Sequence, residues 1–584
     1  MLFYGKLEKS RYPLSENKTN IMGDVHMNKK WWKEAVVYQV YIKSFLDTNG
    51  DGIGDLRGII KKLDYLKELG VNCLWLNPIF QSPDVDNGYD VSDYYKIQDK
   101  YGSMEDFMEL LSGAHARGIR LILDMVLNHS SDEHFWFQES RKSKDNPYRE
   151  FYYWRPAKNG KEPNNWGNYF HEGRGSAWEW DETTQEYYLH NYSKKMPDLN
   201  WESQKLREEC YKLMNYWLDL GVDGFRMDAI NRLKKPAGLP DSHNPPQPPV
   251  SIYGYVVDRT VCANCEGIHE LLHEMNERVF SRHDALVVGE TGNIDSEMAV
   301  LYTAEERGEI GELFHFEIAK NVNKVDALEY KAVQKRWYEV IKKNGWITQY
   351  LTNHDSARPV SWFGNDKELR YETATMLALL THTHPGTVYI YQGEEIGMTN
   401  VDFPSIDYYN EKYMVGKYWT MVEAGVDPQK ALDSLKPLSR DNVRTPMQWD
   451  ATENAGFSTN TPWMHVNPNY PEINVEAEAG RKKSVLGFYK KLTALRRQEP
   501  IMVYGSYRQL YENDPELIAY ERELDGKRWL VLANFTENLI SAEGRIDSAD
   551  FENARLLLSN YEERGDFPRT VRPYEARLYE LERG

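Results

Sequence analysis

The stretch that decides the fold is Leu56-Arg-Gly-Ile-Ile-Lys-Lys-Leu-Asp-Tyr-Leu-Lys-Glu-Leu69, which is followed closely by Cys73-Leu-Trp-Leu76. The first segment has the apolar period of a helix, and the second is a short apolar run typical of a buried strand. The pair recurs downstream, where a helix is predicted over residues 104–117 and a strand over residues 121–124. Repeated strand and helix units predict a parallel sheet, and a chain of 584 residues has room for a closed (β/α)8 TIM barrel.

Further apolar runs extend this alternation along the chain. Strands are predicted at Val36–Val40, at Gly224–Asp228 and over residues 285–290. The pattern breaks between residues 129 and 200, where polar and aromatic residues predict an excursion from the barrel after its third strand. It breaks again over residues 236–266, a proline-rich irregular loop of the kind that is more often functional than disordered.

After about residue 500, short alternating runs replace the helices and indicate a small all-β domain. We therefore expect four parts. Residues 1–29 form an N-terminal extension, within which residues 1–26 are disordered or reflect an upstream start codon. The remaining parts are a catalytic barrel (30–129 and 200–500), an inserted domain (130–199) and a C-terminal antiparallel β-sandwich domain (501–584).

Charge and composition restrict the partners and the compartment. A net charge of −19 repels nucleic acid and anionic membranes, so a neutral substrate is expected. No apolar run is long enough to span a membrane, and the start of the chain lacks the apolar segment of a signal peptide. Cys73, Cys210, Cys262 and Cys265 are too few for a disulfide framework, and the last two lack the partners of a zinc site. We expect a cytoplasmic protein, monomeric or weakly self-associating.

Acidic residues follow four of the predicted strands: Asp124, Asp228, Glu290 and Asp355. Any one of them could be a strand-end cap, but in a β/α barrel these ends form the face that carries active sites. Glycosidic cleavage needs one carboxylate to attack the anomeric carbon and another to protonate the leaving oxygen. Arg226 faces the same side as Asp228 and is expected to hold it ionised as a nucleophile. Glu290 follows an apolar strand and suits the acid.

A glycine-rich loop near the start of the chain has the spacing of a cation site. Asp47, Asn49, Asp51 and Asp55 place oxygen ligands at alternate positions, as loops that wrap calcium do. A glycine-rich turn with solvated carboxylates explains the same pattern equally well from these residues alone.

Four short motifs resemble the signature regions of glycoside hydrolase family 13, in the order that this family has them. They are Asp124-Met-Val-Leu-Asn-His129, Gly224-Phe-Arg-Met-Asp228, Val288-Gly-Glu290 and Asn353-His-Asp355. Further matches resemble the oligo-1,6-glucosidase and α-glucosidase branch, from about residue 30 to the end. These are Asp47-Thr-Asn-Gly-Asp-Gly-Ile-Gly-Asp55, Asp86-Asn-Gly-Tyr-Asp90, Tyr391-Gln-Gly-Glu-Glu-Ile-Gly-Met-Thr-Asn400 and Ser439-Arg-Asp-Asn-Val-Arg-Thr-Pro-Met-Gln-Trp449.

The resemblance implies a retaining exo-acting α-glucosidase that releases terminal non-reducing α-linked glucose from short oligosaccharides. It implies Asp228 as the nucleophile, Glu290 as the acid/base and Asp355 as the transition-state stabiliser. It also implies a glucose subsite and a closed pocket behind it. The residues implied for that subsite are Tyr89, His129, Arg226 and His354. Asp86 and Arg444 are implied to bind the terminal hydroxyls of the non-reducing glucose.

The resemblance favours a metal in the loop, with the carbonyl of Ile53 completing the ligands from Asp47, Asn49, Asp51 and Asp55. Calcium is the expected ion and magnesium the alternative. Its role is expected to be structural, because the loop precedes the catalytic strands in the sequence.

The chain departs from the branch pattern at two positions that bear on specificity. Met196 stands where Gln is usual, which resembles the neopullulanase side of the family. Ala229 stands where α-1,6-specific members usually have Val, and this resembles α-1,4-active members. We therefore expect α-1,4 or mixed α-1,4 and α-1,6 specificity.

Three other functions fit parts of the pattern. The same residues catalyse transglycosylation or sucrose isomerisation when a sugar hydroxyl replaces water, although the Arg-Leu-Asp-Arg-Asp loop of sucrose isomerases is missing from this sequence. A trehalose-6-phosphate hydrolase is another relative. A non-catalytic scaffold, like the heavy subunits of amino-acid transporters, is disfavoured because the full catalytic set is present.

Overall fold

The computed structural model describes residues 29–170, 175–245, 253–319, 325–547, 554–562 and 568–581. The predicted N-terminal extension, residues 1–29, lies outside the described residues except for Lys29. Part of the proline-rich loop, residues 246–252, also lies outside them.

Eight parallel strands of the described chain form one sheet that curves into a nearly closed barrel. Sheet order follows chain order, and the first strand pairs with both the second and the eighth. The sixth and seventh strands are joined by a hydrogen bond from Thr348 Oγ1 to Leu313 O of 3.0 Å. The predicted barrel is therefore confirmed. In order, the strands are Val36–Val40, Cys73–Leu76, Arg120–Val126, Gly224–Asp228, Leu286–Glu290, Glu312–Phe314, Thr348–Gln349 and Thr387–Tyr391.

The barrel strands are buried along almost their whole length because both faces are covered. Every residue of Val36–Val40 is buried, as expected for a parallel strand with the barrel core on one side and helices on the other. Gly224 opens the fourth strand with a φ of 151°, and a side chain there would clash with the backbone oxygen of Leu286. Glycine is therefore needed where the fourth and fifth strands approach each other.

Helices follow the strands and pack outside them. The predicted helix over residues 56–69 is divided at Lys62 into Leu56–Lys61 and Leu63–Leu69. The helix predicted over residues 104–117 spans Met104–His115 and begins with a reciprocal capping box. The other helices are Phe135–Ser140, Gln204–Asp219, Ile268–Arg278, Ser296–Thr303, Ala327–Lys342, Pro359–Phe363, Arg370–Thr383, Lys412–Glu423, Pro428–Leu435, Asp441–Arg444, Val475–Gly480, Val485–Gln498 and Ile501–Tyr504.

Between the third and fourth barrel strands the chain leaves the barrel, as predicted. It forms a three-stranded antiparallel sheet from Trp154–Arg155, Trp178–Asp181 and Glu186–Leu189. The aromatic residues of this segment pack against each other, for example Phe137 and Trp154, whose rings are stacked with centroids 5.7 Å apart. The boundaries of an inserted domain at residues 130 and 199 stay a prediction. A separate antiparallel pair, Phe80–Gln81 with Asp93–Ile97, lies after the second barrel strand.

The C-terminal segment is all-β and antiparallel, as predicted. Its apolar side chains form a separate cluster that includes Leu517, Leu532 and Val571. The five-stranded sheet consists, in spatial order, of Ser506–Leu510, Leu517–Leu524, Lys527–Asn534, Ala576–Leu581 and Ala554–Ser559, and a second sheet pairs Ile540–Ser541 with Thr570–Val571.

Among the described residues, no helix is both long and apolar enough to cross a membrane.

Candidate active site

Three carboxylates from adjacent barrel strands meet at one guanidinium. Arg226 is buried, and its Nη1 donates hydrogen bonds to Asp124 Oδ1 at 2.6 Å and to Asp228 Oδ1 at 2.7 Å. Its Nη2 donates to Glu290 Oε2 at 2.8 Å. The third, fourth and fifth strands supply these carboxylates at their carboxyl ends, so the predicted convergence is present at the face that carries active sites in barrels.

One guanidinium contacts three carboxylates, and burial opposes the ionised forms of Asp124 and Asp228. Burial raises the pKa of Asp228 well above its usual range; the positive charge of Arg226 opposes that rise and Glu290 adds to it. Burial likewise raises the pKa of Asp124 to about 6 against the effect of Arg226. Arg226 therefore favours ionised Asp228, as the sequence suggested, but burial outweighs it. Asp228 also shares a hydrogen bond with Glu290, which adds to the rise in the pKa of Asp228.

The backbone after the nucleophile candidate makes a sharp turn. Ala229 has a φ of 44°, in the left-handed region that non-glycine residues seldom occupy. Its N–H donates to Glu290 Oε2 at 3.3 Å. The turn thereby ties the end of the fourth strand to the carboxylate at the end of the fifth.

Tyr89 and His354 form one wall of the site. Their rings are stacked, with centroids 5.3 Å apart and an interplanar angle of 11°. The Tyr89 hydroxyl donates to Asp124 Oδ2 at 2.9 Å and accepts from Asn77 Nδ2 at 2.8 Å. Gln39 Nε2 donates to His354 Nδ1 at 2.9 Å, so His354 carries its proton on Nε2 and donates to the Tyr89 hydroxyl, also at 2.9 Å. The network fixes both rings.

His129 lies beside this wall as a neutral ring. Burial lowers its pKa to about 4, and its Nε2 donates to the backbone oxygen of Tyr89 at 3.2 Å. Behind it, Lys235 Nζ lies 2.9 Å from Asp198 Oδ1 and 2.9 Å from Asn128 Oδ1. This buried ion pair holds the loop that carries His129.

Asp355 and two arginines occupy another edge of the site. Arg444 Nη2 donates to Asp355 Oδ1 at 2.8 Å, and its Nε donates to the backbone oxygen of His354 at 3.1 Å. Arg440 Nη1 lies 3.4 Å from the same carboxylate oxygen. Asp86 lies within the field of these arginines, although burial raises its pKa to about 7. The predicted Asp86 and Arg444 thus share one edge, but Arg444 pairs with Asp355.

Sequence reasoning missed several residues that the structure brings to the site. Arg440 lies four residues before Arg444, and that spacing within a short helical turn was the signal that could have identified it. Asn77 follows the second barrel strand directly, where a polar residue at a strand end is a candidate by position. Gln39 lies inside the first strand and gave no such signal.

The predicted metal loop is stabilised by its own hydrogen bonds. The carboxylate of Asp47 accepts backbone N–H groups of the loop, including that of Asn49 at 3.0 Å, and Asp55 caps the helix that follows. Asp51 Oδ1 accepts the N–H of Ile53 at 2.8 Å. Within the described ranges, no group of three or more His, Cys, Asp and Glu residues is arranged to hold a metal ion. The ligand set, which also uses an amide and a carbonyl oxygen, stays a prediction.

The alpha-amylase catalytic domain model matches residues 39–505 of this chain. The chain belongs to the alpha-amylase family, glycoside hydrolase family 13. An oligo-1,6-glucosidase from Bacillus cereus is 49% identical over 567 residues, covering 95% of this chain and 100% of the relative. An alpha-glucosidase from Pediococcus pentosaceus is 43% identical over 566 residues, covering 94% of this chain and 99% of that protein.

Solved structures of this family superpose closely on the chain. A trehalose-6-phosphate hydrolase from Bacillus licheniformis matches with a TM-score of 0.87 at 42% identity, covering 95% of this chain and 100% of that one. A trehalulose synthase mutant in complex with Tris matches with a TM-score of 0.86 at 38% identity and the same coverage. The fold is thus shared by family members whose names describe different reactions.

Proposed function

We propose that this chain is a retaining exo-α-glucosidase that releases terminal non-reducing α-linked glucose from short oligosaccharides. The observation that carries the proposal is the contact of Asp228 and Glu290 with one guanidinium, that of Arg226. A retaining glycosidase needs two carboxyl groups close together, one ionised and one protonated. The contact of both carboxyl groups with Arg226 supports that arrangement.

The two carboxyl groups take the roles that their positions allow. Asp228 attacks the anomeric carbon while Glu290 donates its proton to the glycosidic oxygen, so the leaving sugar departs and a glucosyl ester remains on Asp228. Glu290 then takes a proton from water, which attacks the same carbon and frees Asp228. Two inversions return the α-anomer of glucose. Arg226 keeps both carboxyl groups in place through these steps.

Asp355, Arg440, Arg444 and Asp86 are proposed to hold the hydroxyls of the glucose being transferred. The two arginines fix the position of the Asp355 carboxylate. A preorganised carboxylate stabilises the transition state without having to move during the reaction. A glucose site bounded by this edge admits a chain end rather than the middle of a polymer. Exo action on short substrates follows.

Linkage is proposed to be α-1,4, or mixed α-1,4 and α-1,6, on the strength of Ala229. Its small side chain follows Asp228 directly, so it leaves more room for the next sugar than Val would. The test is hydrolysis of maltose, isomaltose, sucrose, trehalose and panose with products identified. Release of glucose from maltose supports the proposal, and an Ala229→Val variant should move activity towards isomaltose. Isomerised sucrose or a disaccharide product would instead indicate transglycosylation.

The loop from Asp47 to Asp55 is proposed to bind calcium, or alternatively magnesium, through oxygen ligands only. Its donor set of carboxylates, an amide and a carbonyl suits a hard cation. The loop also contacts a distant segment, because Ser458 Oγ donates to Asp47 Oδ2 at 2.6 Å. A bound ion would stabilise that junction. Metal analysis of the purified protein, and a lower Tm in a chelator, are the expected results; metal-free protein with an unchanged Tm would contradict them.

We place the protein in the cytoplasm, as a monomer or weak homo-oligomer that binds no nucleic acid. Support for a reducing compartment comes from Cys73, Cys210, Cys262 and Cys265, all of which are free thiols, three of them buried. Cell fractionation and light scattering of the native protein test both statements.

A further inference from the structure

The loop that carries Asp86 contains three residues with left-handed backbone geometry. Asp84, Asn87 and Gly88 have φ values of 67°, 52° and 99°. Asp and Asn tolerate this region better than most residues, but it still costs them free energy. Such a loop keeps one shape when the contacts around it impose that shape. Those contacts therefore also decide where the Asp86 carboxylate lies.

Lys43 binds this loop at two places. It lies in the short helical turn Ile42–Ser44 that follows the first barrel strand. Its Nζ donates to Asp84 Oδ2 at 2.9 Å and to Asn87 Oδ1 at 3.2 Å. One acceptor precedes Asp86 in the chain and the other follows it directly. Lys43 thus bridges the segment that carries Asp86, and a shift of that segment would break at least one of the two hydrogen bonds.

The Lys43 ammonium is itself held in place. Lys43 is only 8% exposed, and its Nζ lies 4.2 Å from the centroid of the Trp463 ring. Trp463 is fixed in turn, because its Nε1 donates to Ser44 Oγ at 3.0 Å and its backbone N–H donates to Gly52 O at 2.9 Å. A buried ammonium between an aromatic face and two oxygen acceptors has little freedom, so Lys43 anchors the loop to the barrel.

Other contacts of the loop are local or one-sided. The Asp90 carboxylate accepts the N–H of Val85 at 2.8 Å and that of Asp86 at 2.9 Å, but Asp90 belongs to the same short stretch of chain. Lys100 Nζ also lies 2.7 Å from Asp84 Oδ2, and among the described residues this is the ion pair that Lys100 forms. Lys43 differs from both because it joins the two flanks of Asp86 to a barrel strand.

We propose that Lys43 is a positioning residue for Asp86, and thereby for recognition of the C4 hydroxyl of the non-reducing glucose. The proposal rests on the proposed exo-α-glucosidase function, in which Asp86 holds a terminal hydroxyl. An α-1,4 chain would continue at C4, so recognition of a free hydroxyl there distinguishes a chain end from the middle of a chain. A misplacement on the order of 1 Å weakens such a contact severely, so Lys43 affects recognition although it acts only through Asp86.

The kinetic test compares kcat/KM for a nitrophenyl α-glucoside and for its 4-deoxy analogue, which lacks the C4 hydroxyl. We expect Lys43→Met to lower kcat/KM for the glucoside by about tenfold and to leave the analogue within about twofold of native. Lys43→Arg keeps a cation with several donors and should retain most of the glucoside rate. In an Asp86→Ala background, Lys43→Met should cause no further loss. Equal losses on both substrates would overturn the proposal.

Lys33 provides a matched control at the other end of the same strand. It is also buried, it pairs with Glu305 at 2.5 Å, and its Nζ lies 4.9 Å from the centroid of the Trp346 ring. Lys33 precedes the first barrel strand, so it lies away from the face that carries the site. Lys33→Met should lower the Tm but keep the native ratio of the two kcat/KM values. A ratio that falls equally in both variants would contradict a role through Asp86.

A second variant covers the case in which Lys43→Met does not fold. Asp84→Asn removes the charge that Lys43 binds, while asparagine still adopts the positive φ of this position. We expect it to lower kcat/KM for the glucoside relative to the 4-deoxy analogue by about threefold. An unchanged ratio in this folded variant would overturn the proposal.

Hydrogen exchange measures the loop itself and needs no turnover. The N–H groups of Val85 and Asp86 bond to Asp90, so their exchange reports whether the loop keeps its shape. Lys43→Met should speed exchange in a peptide covering residues 83–90 by about tenfold or more, whereas Lys33→Met should not. If native protein cleaves no α-glucoside, the glucosidase proposal fails, and exchange still decides whether Lys43 positions Asp86. Unchanged exchange in Lys43→Met overturns the inference.

Discussion

The region around Arg226 and the region around Arg232 differ in what their arginines contact. On the side of the transferred glucose, Arg226 contacts three carboxylates and Arg444 contacts Asp355. Close to Glu290, Arg232 donates to the Tyr169 hydroxyl at 3.1 Å and to the backbone oxygen of Arg259 at 2.7 Å, both of which are neutral groups. Carboxylates and guanidinium groups that already contact each other hold a site ready for a neutral ring.

Removal of the nucleophile candidate should have the largest effect of all the changes around Arg226. Asp228→Asn keeps the size of the side chain but removes the attacking oxygen anion, and we expect kcat to fall by about ten-thousand-fold. Steady-state kinetics on a nitrophenyl α-glucoside measure the loss, and circular dichroism checks the fold. Activity within tenfold of native would show that another group attacks.

Asp86→Ala tests the closed edge of the glucose site. Asp86 lies in the field of Arg440 and Arg444, where it is proposed to hold a terminal hydroxyl. Losing one positioning contact should lower kcat/KM by about a hundredfold while the Tm stays close to native. A normal rate in a folded variant would remove Asp86 from the glucose site and weaken the exo assignment.

Tyr89→Phe sharpens the comparison with a smaller change on the same side. The variant keeps the ring that stacks on His354 but loses the hydroxyl that links Asn77, Asp124 and His354. We expect about a tenfold lower kcat, the size of effect that one buried hydrogen-bond network contributes. Tyr89→Ala should lower kcat further, because this variant also loses the ring. Equal rates for both variants would assign the whole effect to the hydroxyl.

Sequence alone predicted the strands that carry the residues around Arg226. It predicted little of which charged side chains pair with each other. The strands Val36–Val40 and Gly224–Asp228 were predicted residue for residue, because each is an apolar run with clear ends. The break at Lys62 was not, since the apolar period of the helix continues through it. The apolar period of a helix shows which of its faces is buried, but it does not show where the helix is interrupted.

Pairing in the site depends on contacts between distant segments, which no local pattern contains. Arg444 and Asp355 are 89 residues apart, and only the fold brings them within 2.8 Å. Burial of Asp228, which opposes the effect of Arg226 on the pKa of that carboxyl, is likewise a property of the folded chain.

The smallest effect we predict is a pH dependence of stability that comes from Asp86. Its pKa rises from 3.8 to about 7 on folding, so between those values the folded protein keeps a proton that the unfolded chain releases. Its contribution to stability therefore falls as pH rises through this window. The Tm of Asp86→Asn relative to native should increase by about 1 to 2 °C between roughly pH 5 and pH 8. A difference that is constant with pH would contradict the raised pKa.

The central claim, retaining cleavage at the non-reducing end, is tested most directly by following the first products of a maltotriose labelled at its reducing end. Proton NMR in the first minutes should show unlabelled glucose released as the α-anomer, with the label remaining in the disaccharide. Early appearance of the β-anomer, or of labelled glucose, would contradict the assignment of Asp228 and Glu290 and the closed edge at Asp86.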